Sequence, residues 1–201
     1  MEPMSKADIE LYYNEKLIEF LEFIGELPGL VKVLMAGRGF GKTRGIGEDF
    51  LDRAHELPRA RIFLTSYSFD AINDNIMPEF REVLELHGFK ERYDYVVDRH
   101  PPLDFERPWK KVEDPRNSIH LFNGFCAQKI SMGRIPKKNR GKSYDGGIID
   151  EALNLKGHDV DNTLLQTIRG IEHWQKNPYW KMLSIYSSYP RDTEAIGRAH
   201  V

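Results

Sequence analysis

The stretch VLMAGRGFGKTRG, residues 33–45, constrains this chain more than any other. Within it, AGRGFGKT (36–43) follows the pattern G-x-x-x-x-G-K-[S/T], with Ala36 in the first place. Gly39 and Gly41 allow the backbone to curl so that successive N–H groups point at one anion, as in a loop that holds phosphate. Lys42 then reaches the β- and γ-phosphates of a nucleotide, and the Thr43 hydroxyl serves Mg²⁺. The setting agrees. The apolar LVKVLMA before the loop reads as a buried strand, and KTRGIGEDFLDRAHEL after it reads as a helix whose N-terminus receives negative charge. The bland alternative is a glycine-rich strand-to-helix turn with a solvent-facing lysine, and it does not require this spacing. A dinucleotide-binding G-x-G-x-x-G fails: begun at Gly37, Gly39 or Gly45, it puts Lys42, Arg44 or Phe50 where the last glycine belongs.

A phosphate loop needs an acidic partner for its metal. GGIIDEA (146–152) supplies one, an apolar run ending in Asp150 and followed at once by Glu151. At the C-terminal end of a parallel strand, Asp150 is delivered to the Mg²⁺ shell. Glu151 is then placed to orient and deprotonate a water for attack on the γ-phosphate. The predicted chemistry is hydrolysis of a nucleoside triphosphate. A further strand, KMLSIYS (181–187), runs into SSYP (187–190). Ser187 and Ser188 would emerge at the same end of the sheet as Asp150, either to sense the γ-phosphate or as a plain turn before a proline. TSYSFDA (65–71) leaves its strand in the same way, either to contact DNA or as structure.

The rest of the chain frames these motifs. Its 201 residues, 40% hydrophobic and 30% charged, suit one globular domain. No run approaches the roughly 18 apolar residues of a membrane span, and MEPMSKADIE lacks the layout of a secretory signal. Cys126 stands alone and in apolar context, the pattern of a buried thiol in a reducing compartment. The net charge of -2 means that any contact with nucleic acid must use a local patch. Residues 5–27 have helical periodicity, 61–66 read as a strand, and 69–89 as a helix with a kink or break at Pro78. Four prolines make 99–117 a loop, with Trp109 on it, and SIHLFNGFCAQKISM reads as two strands joined by Asn123-Gly124. A helix is expected at about 159–173. KKNRGK (137–142) is either a DNA contact, a solvated loop, or the means of placing Arg140 near the nucleotide. The histidines fall at no metal-ligand spacing. Strands alternating with helices imply a mainly parallel α/β sheet, to which the hairpin adds an antiparallel edge or insertion.

The succession MAGRGFGKT, FLTSYSFDA, RGKSYDGGIIDEA, SIYSSYP resembles the ATPase domain of the large terminase subunit of tailed bacteriophages, over about residues 30–192. That resemblance implies a RecA-like fold with an additional strand, residues 1–29 forming a helical extension before an ATPase domain at 30–201. It implies ATP and Mg²⁺ as cofactors, the loop Ala36, Gly37, Arg38, Gly39, Phe40, Gly41, Lys42, Thr43 and Arg44 around the nucleotide, and Thr43 with Asp150 on the metal. Glu151 would be the catalytic base, with Lys42 and the loop arginine Arg38 assisting, and Ser187, Ser188, Tyr189 and Pro190 would form the motif coupling hydrolysis to movement. The partners implied are double-stranded DNA, a portal protein and a small terminase subunit, with the chain working as a homo-oligomeric ring in the host cytoplasm, transiently at the procapsid portal. A neighbour's arginine completes the site in such rings; Arg134, Arg140 and Arg169 are candidates. The chain ends eleven residues after Pro190, leaving no room for the nuclease domain these subunits usually carry, so DNA cleavage is not expected of it. The rival readings are a helicase-like translocase and a nucleotide-dependent assembly module with little turnover.

Overall fold

The computed structural model describes Leu17 and residues 31–112, 114–132, 141–155 and 164–189. Seven strands form one sheet: β1 (Val31–Met35), β2 (Arg61–Ser66), β3 (Tyr95–Val97), β4 (Ser118–Leu121), β5 (Cys126–Ser131), β6 (Gly146–Asp150) and β7 (Leu183–Ser187). Their order across the sheet is β1-β7-β6-β2-β5-β4-β3. The pairs from β1 to β5 are parallel, and β5-β4 and β4-β3 are antiparallel.

Alternation along the strands divides the core. Ile62 and Leu64 of β2 face α1 (Lys42–Glu56) and the helical run that follows β2, joining Ile46, Phe50, Phe80 and Leu84 in the larger cluster. There Phe50 meets Phe80 and Phe125 edge-on, at 4.8 and 5.1 Å between centroids. Phe63, between those two β2 residues, faces the other way, with Ile149, Tyr144 and Leu183. A Cβ added at Gly147 would lie 2.1 Å from the Phe63 ring, so the β6 glycine is what lets that ring lie flat on the neighbouring strand. Leu17, the one described residue of the expected N-terminal helix, is helical and buried, and its Cδ1 would lie 3.2 Å from a Cβ at Gly45 of α1. The remainder of that expected helix lies outside the described residues.

The hairpin adds the antiparallel edge that was one of its two expected places. Its second strand, β5, runs parallel to β2 in full register from Arg61↔Cys126 to Ser66↔Ser131, and its turn places Gly124 at φ +78. The helix after β2 does not break at Pro78; it widens. Phe69–Ala71 is α-helical, Ile72–Ile76 is a π turn, and α2 (Met77–Leu86) follows with the proline near its N-terminus. Pro78 has no N–H to offer the preceding turn, and the π turn absorbs that missing bond.

Two expectations need correction, and a third point went unread. The strand before the phosphate loop is an edge among the described residues, not a buried strand: there β1 pairs with β7 alone, and Val31 and Val33 are 56% and 53% exposed. The helix expected at about 159–173 is not formed over its described part. Leu164 is a π-helical residue, and after it residues 165–174 hold the 3₁₀ turns Leu165–Thr167 and Glu172–Trp174 and no α-helix. Between them the backbone turns to the sheet instead of to itself: Tyr144 N–H donates to Thr167 O at 2.8 Å, Ile171 N–H donates to Asp145 Oδ1 at 2.8 Å, and Gly170 takes φ +65. The third is an omission, since β3 was not expected from the sequence. Among the described residues no helix is long and apolar enough to cross a membrane.

Candidate active site

The parallel strands β1, β7, β6 and β2 all release their chains at the same end of the sheet, and each release carries one of the sequence motifs. After β1, Gly39 and Gly41 take φ +79 and +87, the left-handed region that glycine enters without strain, and α1 begins at Lys42. No acidic residue stands in the first turn of α1, and no side chain caps its N-terminus. Open space lies where a Cβ would stand at Gly37 and Gly39. A glycine-lined concavity over an uncapped helix N-terminus fits a polyphosphate. Lys42 Nζ donates to the carbonyls of Ala36 and Gly37, at 3.1 Å each, and so lies across the loop. Arg38 is exposed at the tip, while Phe40 is partly buried against the core. Thr43 sits half-buried in the first turn of α1. Arg44 sends its guanidinium to Glu82 of α2 at 2.8 Å.

Asp150 ends β6 nearly buried, at 8% exposure. Burial, with the neighbouring Glu151 charge, pushes its carboxyl up to about 6, while a hydrogen bond from Ser66 and the charge of Lys42 pull the other way. Ser66, the last residue of β2, donates to Asp150 Oδ2 at 3.4 Å. Among the described residues no group of three or more His, Cys, Asp or Glu could hold a metal. Mg²⁺ in nucleotide sites does not require one; it takes one or two protein oxygens and completes its shell with phosphate and water. Asp150 with Thr43 fits that role.

Glu151 occupies a left-handed conformation, φ +49 and ψ 51, which a glutamate adopts only at a cost. Its surroundings hold it there. Glu151 N–H donates to Tyr186 O at 2.7 Å. The carboxylate receives the Ser188 hydroxyl on Oε1 at 2.7 Å and the Ser188 N–H on Oε2 at 3.1 Å. Ser187 works on both sides. Its carbonyl accepts Ala36 N–H at 3.0 Å, and its hydroxyl accepts Leu153 N–H at 3.3 Å. One residue earlier, the buried Tyr186 hydroxyl donates to Gly45 O at 3.1 Å. The end of β7 therefore ties the phosphate loop to the segment carrying Glu151. Tyr189 is exposed beyond it, and Pro190 lies outside the described residues.

Lys42 and Thr43 at the start of α1, Asp150 and Glu151 at the end of β6, and Ser187 and Ser188 at the end of β7 thus stand at one end of the sheet. Ser66 and Tyr186 were missed. Ser66 carried a usable signal, a hydroxyl on the last residue of a strand bound for the sheet beside Asp150. Tyr186 carried none. Arg169 lies at the other pole, next to the bridge of Ile168 with Tyr144 ahead of β6, and Arg134 and Arg140 lie outside the described residues.

No protein-family model and no curated protein matches the sequence. Solved structures do. The large terminase of a thermophilic bacteriophage superposes with TM-score 0.57 at 11% identity, covering 88% of this chain and 38% of that one. The same terminase in complex with ATP-γ-S gives 0.56 at 12% identity, covering 87% and 38%. The large terminase ATPase domain of Thermus phage P74-26 gives 0.55 at 15% identity, covering 98% and 74%. The fold is that of a phage large-terminase ATPase domain. This chain spans 38% of the length of the first of these terminases. At such identities the likeness establishes the terminase-type P-loop fold, and the chemistry must be argued from the residues above.

Proposed function

We propose that this chain is the ATPase motor domain of a viral DNA-packaging terminase, hydrolysing Mg-ATP to move double-stranded DNA into a procapsid at the portal. The observation that carries the reading is the position of Glu151. Its carboxylate is held by two donors beside the buried Asp150, at the strand ends where Lys42 crosses a glycine loop. Bound Mg-ATP supplies the electrophilic phosphorus and neutralises phosphate charge. The chain does the remainder. The loop and the N-terminus of α1 receive the phosphates, Lys42 turns its ammonium to them, and Thr43 and Asp150 hold the metal. Glu151 orients a water and takes its proton on a carboxylate oxygen. A module that only binds nucleotide has no use for a strained glutamate at that place. In this reading the domain works as a ring at the host's procapsid, beside a portal protein and a small subunit, with a neighbour's arginine completing each site.

The test is Mg-dependent ATP hydrolysis across protein concentration for the wild type, Lys42→Ala and Glu151→Ala. Turnover should rise faster than linearly with concentration and vanish in both variants. Wild-type turnover in Glu151→Ala would remove the catalytic assignment and favour the assembly module.

A further inference from the structure

The pole of the sheet opposite the phosphate loop, where β2, β6 and β7 begin, is built from segments far apart in sequence. Arg59 lays its guanidinium on the Trp109 ring at 3.8 Å, donates from Nε to Arg107 O at 2.8 Å, and accepts Trp109 N–H on its carbonyl at 2.9 Å. His173 packs 5.6 Å from Trp109, and Trp174 packs 4.8 Å from His173. Beneath them Arg61 donates to the carbonyls of Lys111 and Ser143, at 2.9 and 2.8 Å, and the Lys110 ammonium bonds the Ser143 hydroxyl. Lys181 completes the face, with its N–H on Asp145 O at 2.6 Å and its ammonium 4.1 Å from the centre of the Trp180 ring.

Charge is unevenly spread in a chain whose formal sum is -2. Together with Arg59, segment 104–113 carries Arg107, Lys110 and Lys111 against Asp104, Glu106 and Glu113, with Glu106 lying 3.7 Å from Arg59. Segment 169–181 carries Arg169, Lys176 and Lys181 against Glu172. Arg107, Lys111, Arg169 and Lys176 are exposed. The buried side-chain donors left without an acceptor among the described residues are Arg61 Nε, Trp174 Nε1 and Trp180 Nε1, and all belong to this face.

We infer that this pole binds the phosphate backbone of duplex DNA, a partner whose choice rests on the function proposed above. Lysine is depleted at the centre of protein–protein interfaces, whereas a phosphate backbone selects lysine and arginine together. Trp109, with Arg59 on its ring and His173 against it, stiffens the face rather than offering a platform for an unpaired base, which favours duplex over single strand. The prolines around it, with Pro108 buried, hold the cationic loop in one shape before any partner arrives.

The test is fluorescence anisotropy of a short labelled blunt duplex with the whole chain over a salt series, for the wild type, Lys111→Ala with Lys176→Ala, and Lys111→Arg with Lys176→Arg. Both lysines are exposed and outside the nucleotide site, so melting temperature and Mg-ATP hydrolysis should stay at wild-type levels. The alanine pair should weaken binding several-fold at low salt and lower the log–log salt slope by about 2, about 1 per phosphate contact, and the arginine pair should restore both. An unchanged affinity and slope in the alanine pair, or no duplex binding by the wild type at low salt, overturns the inference; retained hydrolysis then leaves the ATPase reading standing and points this face to a protein partner. Lysine-dependent binding without hydrolysis sustains the inference and removes the motor.

Discussion

Ser188 hands both its hydroxyl and its backbone N–H to one carboxylate, and that carboxylate belongs to the proposed base. Hydrogen bonds to a charged group are worth about 1.5–3 kcal/mol. Replacing Ser188 with alanine removes the hydroxyl donor and leaves the Glu151 carboxylate held by the backbone N–H of residue 188. Expected is a fall in kcat of about tenfold or more at nearly constant KM for ATP, with Ser188→Thr close to wild type, read from steady-state hydrolysis. Glu151→Gln should cost about 10²–10⁴-fold in kcat while nucleotide binding, followed by a fluorescent analogue, survives. The roles proposed for Lys42, Thr43 and Asp150 come from local spacing around one ligand, so they could be read from the sequence alone. The grip of Ser188 on Glu151 was not, since it joins positions 37 residues apart and depends on β7 lying between β1 and β6.

Between elements, the join that matters most for holding this site is a buried ion pair. Arg53 of α1 bonds Asp49 at 2.9 and 3.2 Å, with both side chains wholly buried, and reaches Ser184 Oγ and Met182 O of the β7 segment at 2.8 Å each. It pins the helix that starts at the phosphate loop to the strand that ends at Ser187. Arg53→Ala should cost about 3–5 kcal/mol in urea denaturation, because Asp49 is left buried and unpaired. Arg53→Met combined with Asp49→Leu should recover most of that loss, as apolar replacements of buried pairs often do. Helix α1 and strand β2 were readable from hydrophobic periodicity and turn residues. β3 was not, being three residues long and formed only through its pairing with β4. The α-helix expected over 165–173 failed for the converse reason: a helical period was present, but Tyr144 and Asp145, at the start of β6, claimed its backbone groups.

Across the whole domain, acid acts in opposite directions at two places. Burial pushes Asp52 of α1 up to about 6, with the charges of Asp49 and Glu48 adding to it and His87, from the end of α2, opposing. Its protonated form binds more tightly to the fold than to the unfolded chain. That stability is fully present below pH 3.8, the unfolded value, and is lost as pH rises through about 6. Asp52→Asn should therefore stabilise the protein at neutral pH, and the gain should shrink to nothing as pH falls toward 3.8. His120, buried beside Ser118, runs the other way. Burial pulls it down to about 4, so its contribution is present above pH 6.5 and lost as pH falls toward 4. Chemical denaturation of wild type and Asp52→Asn across that range separates the two. At this scale the sequence told of a mainly parallel sheet and one glycine loop. It could not reveal the strand order, the edge position of β1, or the cationic pole, because each arises from residues that only folding brings together.

The end of β7 also has a mechanical meaning. Glu151, Ala36 and Gly45 all hang on three successive residues, Tyr186 to Ser188. A tug on the backbone beyond Ser188 is felt at the carboxylate proposed to handle water and at the loop proposed to handle phosphate. Coupling of this kind is reciprocal by thermodynamic necessity. If a ligand at the loop can shift this segment, a load on the segment must alter the affinity of the loop, and the strand behaves as a strain gauge wired to its own power supply.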